Sequence, residues 1–303
     1  MKSLQTLAPL VVALVCVPFP GWAQPVLGSE LSSFAILGAE SVTNTGATTL
    51  TGNLGVSNNA SLTGITGFFG TLANEGPGTV TGAVHQGDAF AITADGQLVN
   101  AMTSLGLMGP GTTLGVDLVG LTLAPGVYTV LAGTSNLTGT LTLDGGGNAN
   151  AFWVFQMPGT LITSPGSFVN VINTGAGAGV YWNVGSSATL GTGTTFEGNI
   201  LASTSITFND AVTLSCGRAL AHTGAVTMIA DTVNAIGCSG TGEEGSNGLS
   251  GGLEVLQVGG VATPLAYAPL SAIPEPDTYA LMLAGLGLLG FVARRNQRRS
   301  AQS

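Results

Sequence analysis

The chain has 303 residues, of which 48 are glycine and only 7% are charged. Between residues 24 and 272 there are thirteen acidic residues and one basic residue, Arg218, a net charge near −12. Phosphate backbones are bound by Lys and Arg, so this balance argues against nucleic-acid binding. Abundant glycine with little charge predicts tight corners and flat, uncharged surfaces on one elongated domain with a sizeable core.

Residues 1–23 read as a secretory signal. Lys2 supplies the positive start, Leu7 to Phe19 an apolar run, and Gly21-Trp22-Ala23 a small-residue cleavage site. Residues 34–57, FAILGAESVTNTGATTLTGNLGVS, then introduce a pattern that recurs later: short apolar or Thr-rich strands separated by Gly, Asn and Ser corners. Residues 58–83 lack a clear period and are expected to form a loop or an end cap. Residues 84–108 carry the one helical pattern of the body, with Ala91, Ala94, Leu98, Ala101, Met102 and Leu105 on one stripe. Gly109-Pro110-Gly111 ends it.

The pattern resumes from Leu114 and is clearest over 182–228. SATLG, TSITF and GAVTM form one set of strands. TTFEG, AVTLS and DTVNA form a second, and NILA and RALA a third that is apolar throughout. GVYTVLA, AFWVFQM and AGVYWNV are bulky members of the third set. Self-similar short strands at a spacing of roughly 15–20 residues predict a solenoid, here with three strand types per coil. The apolar third face needs a cover, and the Ala-rich helix is its natural partner.

Side chains of a strand alternate between its two faces. In the first set Ala188, Leu190, Ile206, Phe208, Val226 and Met228 therefore point inward, and Ser187, Thr189, Ser205, Thr207, Ala225 and Thr227 outward. Stacked coils place Thr189, Thr207 and Thr227 in one file at about 4.8 Å, with Ser187, Ser205 and Ala225 in a parallel file about 6.8 Å away. Ser41 and Thr43 extend the two files. The second set has its own outward file, Thr195, Thr213 and Thr232.

Residues 239–272 read as a Gly/Ser-rich linker, with one short strand at 253–258. Residues 273–303 differ in kind. Pro274-Glu275-Pro276 precedes an apolar run over 279–293, followed by Arg294, Arg295, Arg298 and Arg299. That run predicts a short hydrophobic helix inserted transiently in a membrane, with the arginines on the cytoplasmic side.

Chemistry of the catalytic kind is poorly represented. His85 and His222 stand apart from any H-E-x-x-H motif, and there is no G-x-S-x-G or C-x-x-C. Asp144-Gly-Gly-Gly-Asn148 reads as a plain corner rather than a calcium turn. The paired carboxylates of glycoside hydrolysis are not evident. No metal, cofactor or catalytic residue is assigned. Once the signal is removed, Cys216 and Cys238 remain as an even pair about one coil apart, which favours a disulfide over two buried thiols.

The outward Thr and Ser files admit two readings. Thr is a common strand residue, so one is a solvated β-surface. The other follows from the absence of Lys and Glu, which a soluble surface would normally carry. A flat grid of methyl and hydroxyl groups with spacings close to the repeats of ice is suited to ordering water.

Two resemblances now stand out. Over 27–236 the motifs FAILGAESVTNTG, TGNLGVS, LTLAPGVYTV, LTGTLTLDG, FWVFQM, WNVGSSATLGTGTTFEGNILA and GRALAHTGAVTM resemble the widespread microbial ice-binding protein family. The resemblance implies a mostly β chain: a right-handed, irregular three-sided β-solenoid with one long helix along a side and an early coil packed among the late ones. It implies an ice crystal surface as partner, bound through the outward positions of the first set, although Ala225 replaces a hydroxyl there. The tail resembles the PEP-CTERM sorting signal of Gram-negative bacteria, through Pro274-Glu275-Pro276, the apolar run and the arginines. That implies cleavage by an exosortase-type enzyme and release to the cell surface or extracellular matrix. A structural or adhesive role in an extracellular polysaccharide matrix is the alternative for the same solenoid.

Overall fold

The computed structural model describes residues 24–58, 63–69, 75–133, 135–175, 177–236, 253–258 and 261–266, the last two segments through their backbone apart from the Leu253 side chain. The chain divides into two units, Met1–Ala266 and Tyr267–Ser303. The signal over 1–23, the residues of the sorting motif and the apolar run over 279–293 lie outside the described residues. Among the described residues no helix is long and apolar enough to cross a membrane.

The described strands form three parallel sheets of nine, eight and six strands, plus one small antiparallel sheet. The chain visits the three parallel sheets in turn. Phe34–Gly38 lies in the nine-stranded sheet, Val42–Asn44 in the six-stranded one and Thr49–Thr51 in the eight-stranded one. The later coils repeat this cycle, as in Asn199–Ala202, Ile206–Phe208 and Thr213–Ser215. The three strand sets distinguished by sequence are thus three separate sheets.

Each sheet breaks sequence order at the same coil. Phe34–Gly38 pairs with Ala219–Ala221, Val42–Asn44 with Val226–Met228, and Thr49–Thr51 with Thr232–Asn234. The first coil in sequence therefore stacks on the last. The helix Ala89–Leu107 makes this order reachable. It carries the chain from the strand Val84–Gln86 at one edge of the nine-stranded sheet to Thr112–Leu114 at the other. Eight strand spacings amount to about 38 Å. Nineteen helical residues cover about 28 Å of that, and the flanking residues span the remainder.

The helix rests on the outer side of the nine-stranded sheet. Ala91, Ala94, Leu98, Ala101 and Leu105 bury against Phe34, Leu37, Val154, Tyr181, Leu201 and Leu220. Small alanines let helix and sheet approach closely, and the apolar third face is covered as its composition requires. The pair His222 Nδ1–Asp95 Oδ1, 3.0 Å, ties sheet to helix at one edge of this contact. Asn183 Nδ2 donates to Met102 O across it, 3.3 Å.

Inside, an aromatic file runs along the coils. Phe155 stacks on Trp182 with centroids 4.0 Å apart and planes 9° from parallel, and Tyr128 and Phe196 continue the row. Aromatic pairs of this kind add about 0.5–1.5 kcal/mol each beyond burial. Arg218, the body's single cation, is buried where the first and last coils meet. Its Nε donates to Ser32 O at 2.8 Å, Nη1 to Asn199 Oδ1 at 2.9 Å and Nη2 to Ala235 O at 3.2 Å. Burial lowers its pKa to about 10, so it remains charged at neutral pH.

Three expectations need correction. The segment 58–83 is not simply a loop or cap: Ile65–Thr66 and Thr79–Val80 extend two of the sheets. Strands of two residues are too short to show an alternation. The helix begins at Ala89 rather than 84, because Gly87 takes φ +63° and Asp88 caps the first turn by accepting the Ala91 N–H at 2.9 Å. Val84–Gln86 is a strand paired with Asn53–Val56. Within the linker assigned to 239–272 the expected strand Leu253–Val258 is present, but it forms a hairpin with Val261–Ala266, to which Gln24–Pro25 adds a third strand.

Candidate functional site

The six-stranded sheet collects the predicted residues. Register places Thr189 beside Thr207, Thr207 beside Thr227, Thr227 beside Thr43, and Thr43 beside Thr66. Ile162 stands next to Thr189 at one end. Five threonines therefore form an unbroken row, each partly exposed, while Ala188, Ile206, Val226, Val42 and Ile65 before them are buried. Period-2 alternation produces this arrangement: a β-branched or small residue faces the core, and the next residue faces out.

The flanking row is held by the same ladder. Ala188 N donates to Ser205 O, Ile206 N to Ala225 O, and Val226 N to Ser41 O, at 2.9–3.0 Å. Ser187, Ser205, Ala225 and Ser41 thus stand one coil apart just before their strands. Two of the hydroxyls also take long backbone hydrogen bonds, Ser205 Oγ from Ala225 N at 3.3 Å and Ser187 Oγ from Ser205 N at 3.4 Å. These contacts orient the hydroxyls on a rigid backbone. Neither row holds a charged residue.

Thr66 is the member that sequence reasoning missed. The signal was present: Gly64-Ile65-Thr66 repeats the small–branched–Thr pattern of Ala225-Val226-Thr227 and Ser205-Ile206-Thr207. It lay in a segment read as a loop.

The second file also assembles, on the eight-stranded sheet. Thr195, Thr213 and Thr232 are in register, and Thr49 and Thr79 continue the row. Phe168 adjoins Thr195 at the other end and interrupts it.

Between the two sheets lies a buried polar corner. Asp231, 1% exposed, accepts the N–H groups of Val212 and Ile229, each at 2.7 Å. Its own N–H donates to Thr48 Oγ1 at 2.9 Å, and that hydroxyl donates to Asn44 Oδ1 at 2.6 Å. Asn44 Nδ2 donates in turn to Gly46 O and Gly67 O. The network joins the last coils to the first. Burial, with Asp210 nearby, pushes the Asp231 carboxyl up to about 6.

The remaining candidates serve local structure. His85 pairs with Asp88 at 2.8 Å and stacks on Phe90. Asp144 Oδ1 accepts from Gly146 N and Asn173 Nδ2 at 2.9 Å each, within its turn. Cys216 is buried and disulfide-bonded; Cys238 lies outside the described residues.

The arrangement offers two rows of methyl and hydroxyl groups at fixed spacing on a sheet without charge. Comparison with known proteins identifies the family of the chain. An ice-binding-like family model matches residues 36–234, and a PEP-CTERM protein-sorting motif matches 272–299. An ice-binding protein of Nostoc sp. (strain HG1) is 45% identical over 204 residues, 67% of this chain and 71% of that protein. One from Flavobacterium frigoris (strain PS1) is 30% identical over 213 residues, covering 67% and 73%. Among solved structures, the ice-binding protein of the Antarctic ascomycete Antarctomyces psychrotrophicus superposes with a TM-score of 0.60 at 35% identity, covering 68% of this chain and 96% of that one. The Shewanella frigidimarina ice-binding protein_1 DUF3494 domain gives 0.60 at 26% identity, covering 71% and 98%. With a family model spanning most of its length and a sorting motif at its end, this chain belongs to the ice-binding-like family.

Proposed function

We propose that this protein is an exported, non-enzymatic ice-binding protein that adsorbs to ice through the six-stranded sheet of a right-handed, three-sided β-solenoid. The observation that carries the reading is the unbroken row Thr189–Thr207–Thr227–Thr43–Thr66, flanked by Ser187, Ser205, Ala225 and Ser41. Many weak contacts then add up. Methyl groups fit hollows of the ice lattice, and hydroxyls anchor ordered water. Because the rows are already rigid, little conformational entropy is lost on adsorption. Adsorbed molecules force the ice front to curve between them, which lowers the local freezing temperature and slows recrystallisation.

The signal over 1–23 directs export, and the sorting tail passes the chain to an exosortase-type enzyme that releases it at the surface of a Gram-negative cell. Cys216 pairs with Cys238 in the exported form.

The direct test is thermal hysteresis and inhibition of ice recrystallisation by residues 24–272. A clear effect at micromolar concentration is expected. A folded sample with no effect would sink the reading and leave polysaccharide binding as the next assay.

A further inference from the structure

We infer that the eight-stranded sheet is a second ice-adsorbing surface, so that one molecule engages ice through two adjoining faces. The inference rests on the reading that ice is the ligand.

Thr195, Thr213, Thr232, Thr49 and Thr79 occupy five successive rungs of that sheet without interruption. Thr232, Thr49 and Thr79 are exposed, and Thr195 and Thr213 partly so. The rungs are the same five coils that build the first row. Thr207 and Thr213 lie on one coil, Thr227 and Thr232 on the next, and Thr43 and Thr49 on the one beyond. Each of these five coils therefore presents a threonine of one row on each of the two sheets.

Strand propensity alone does not account for this. It favours Val, Ile, Tyr, Phe and Trp as well as Thr, so an exposed strand face drawn on propensity would mix these types. A face kept soluble would use Lys and Glu, and none stands in this row. The row two residues further on carries Ser215, Asn234 and Thr51 beside those threonines, and charge enters only at Glu197. Uniform methyl-plus-hydroxyl groups at about 4.8 Å are the same chemistry that marks the first row.

The corner between the sheets holds the two rows in fixed relation. Asp231 bonds the backbone of Val212 and of Ile229 on neighbouring coils and reaches Thr48 on a third. Val212 directly precedes Thr213, and Asp231 directly precedes Thr232. The second row is thus anchored to the same buried network that closes the first. Two rigid rows on different sheets meet the lattice in different orientations, so each selects its own set of ice planes.

The test uses protein recovered after export from cells expressing the full chain, labelled with a fluorophore and adsorbed to a single-crystal ice hemisphere. Wild type, Thr207→Tyr, Thr232→Tyr and the double variant are compared, with circular dichroism confirming the fold. Thr49→Tyr replaces Thr232→Tyr if the latter does not fold. Each single variant should lose one set of planes and keep the other, and the double variant should lose all adsorption. Complete loss in Thr207→Tyr, with both second-row variants like wild type, would overturn the second face and leave the first standing. Complete loss in Thr232→Tyr alone would overturn the two-face arrangement. A folded wild type that adsorbs to no plane would remove the ice reading and this inference with it.

Discussion

Thr227 stands directly beside Thr43 on parallel strands, although nearly the whole domain separates them in sequence. This single pairing makes a row of five threonines out of a row of three and a row of two. Whatever holds the first coil to the last therefore also sets the length of the proposed binding surface.

Thr207 lies in the middle of that row, with its side chain outward between Thr189 and Thr227. Thr207→Tyr should remove most of the thermal hysteresis by lifting the flat sheet off the lattice. An outward substitution of this kind should change stability by no more than about 0.5 kcal/mol. Ice assays paired with a thermal melt check both halves of the statement.

Arg218 bonds Ser32 O, Asn199 Oδ1 and Ala235 O across the junction of first and last coils. Arg218→Met should leave buried acceptors unpaired and cost on the order of 3 kcal/mol. Hydrogen exchange should show loss of protection over Phe34–Val56 before the coils around Trp182. Uniform loss over all coils would contradict a junction-specific role.

The pH dependence of stability follows from Asp231, whose carboxyl is raised from its ordinary 3.8 to about 6 by burial. Between those values the folded state binds more protons than the unfolded state, so stability falls as pH rises through about 6 and is greater at pH 5 than at pH 8. The effect is about 1–3 kcal/mol. Below pH 4 the trend reverses, because hydrogen bonds hold Asp88, Asp117 and Asp144 below the usual carboxylate range and those groups lose their contribution on protonation. Denaturant unfolding at pH 8, 5 and 3 should give the highest stability of the three at pH 5. A monotonic fall from pH 8 to 3 would contradict the assignment to Asp231.

The disulfide at Cys216 sits in a corner where the backbone takes φ +50°. Removing it should lower stability by about 2–4 kcal/mol. Cys216→Ser, Cys238→Ser and the double variant should then melt at the same lower temperature. Additive losses in the double variant would mean that the two cysteines are not bonded to each other.

Much of this molecule is legible along the chain. The outward threonines, the buried strand faces, the three strand sets and the covering role of the alanine stripe all follow from alternation and composition, because these depend on residues one to four positions apart. Stacking order does not. Parallel strands of one set offer nearly the same backbone hydrogen bonds to any neighbour. The local pattern makes Thr43 a member of the file and the family resemblance puts an early coil among the late ones, but neither names Val226–Met228 as the neighbour of Val42–Asn44. The helix Ala89–Leu107 settles the matter by carrying the chain back along the sheet, and Arg218 and Asp231 hold the result in place. The strand Thr79–Val80 is too short to announce itself, and its lateral partner defines it; Ile65–Thr66 repeats the first-set pattern, but inside a segment without a period of its own. The sequence by itself determined what each coil presents to solvent. Only the tertiary structure decided which coils stand side by side, because rows longer than one coil exist only between residues distant in the chain.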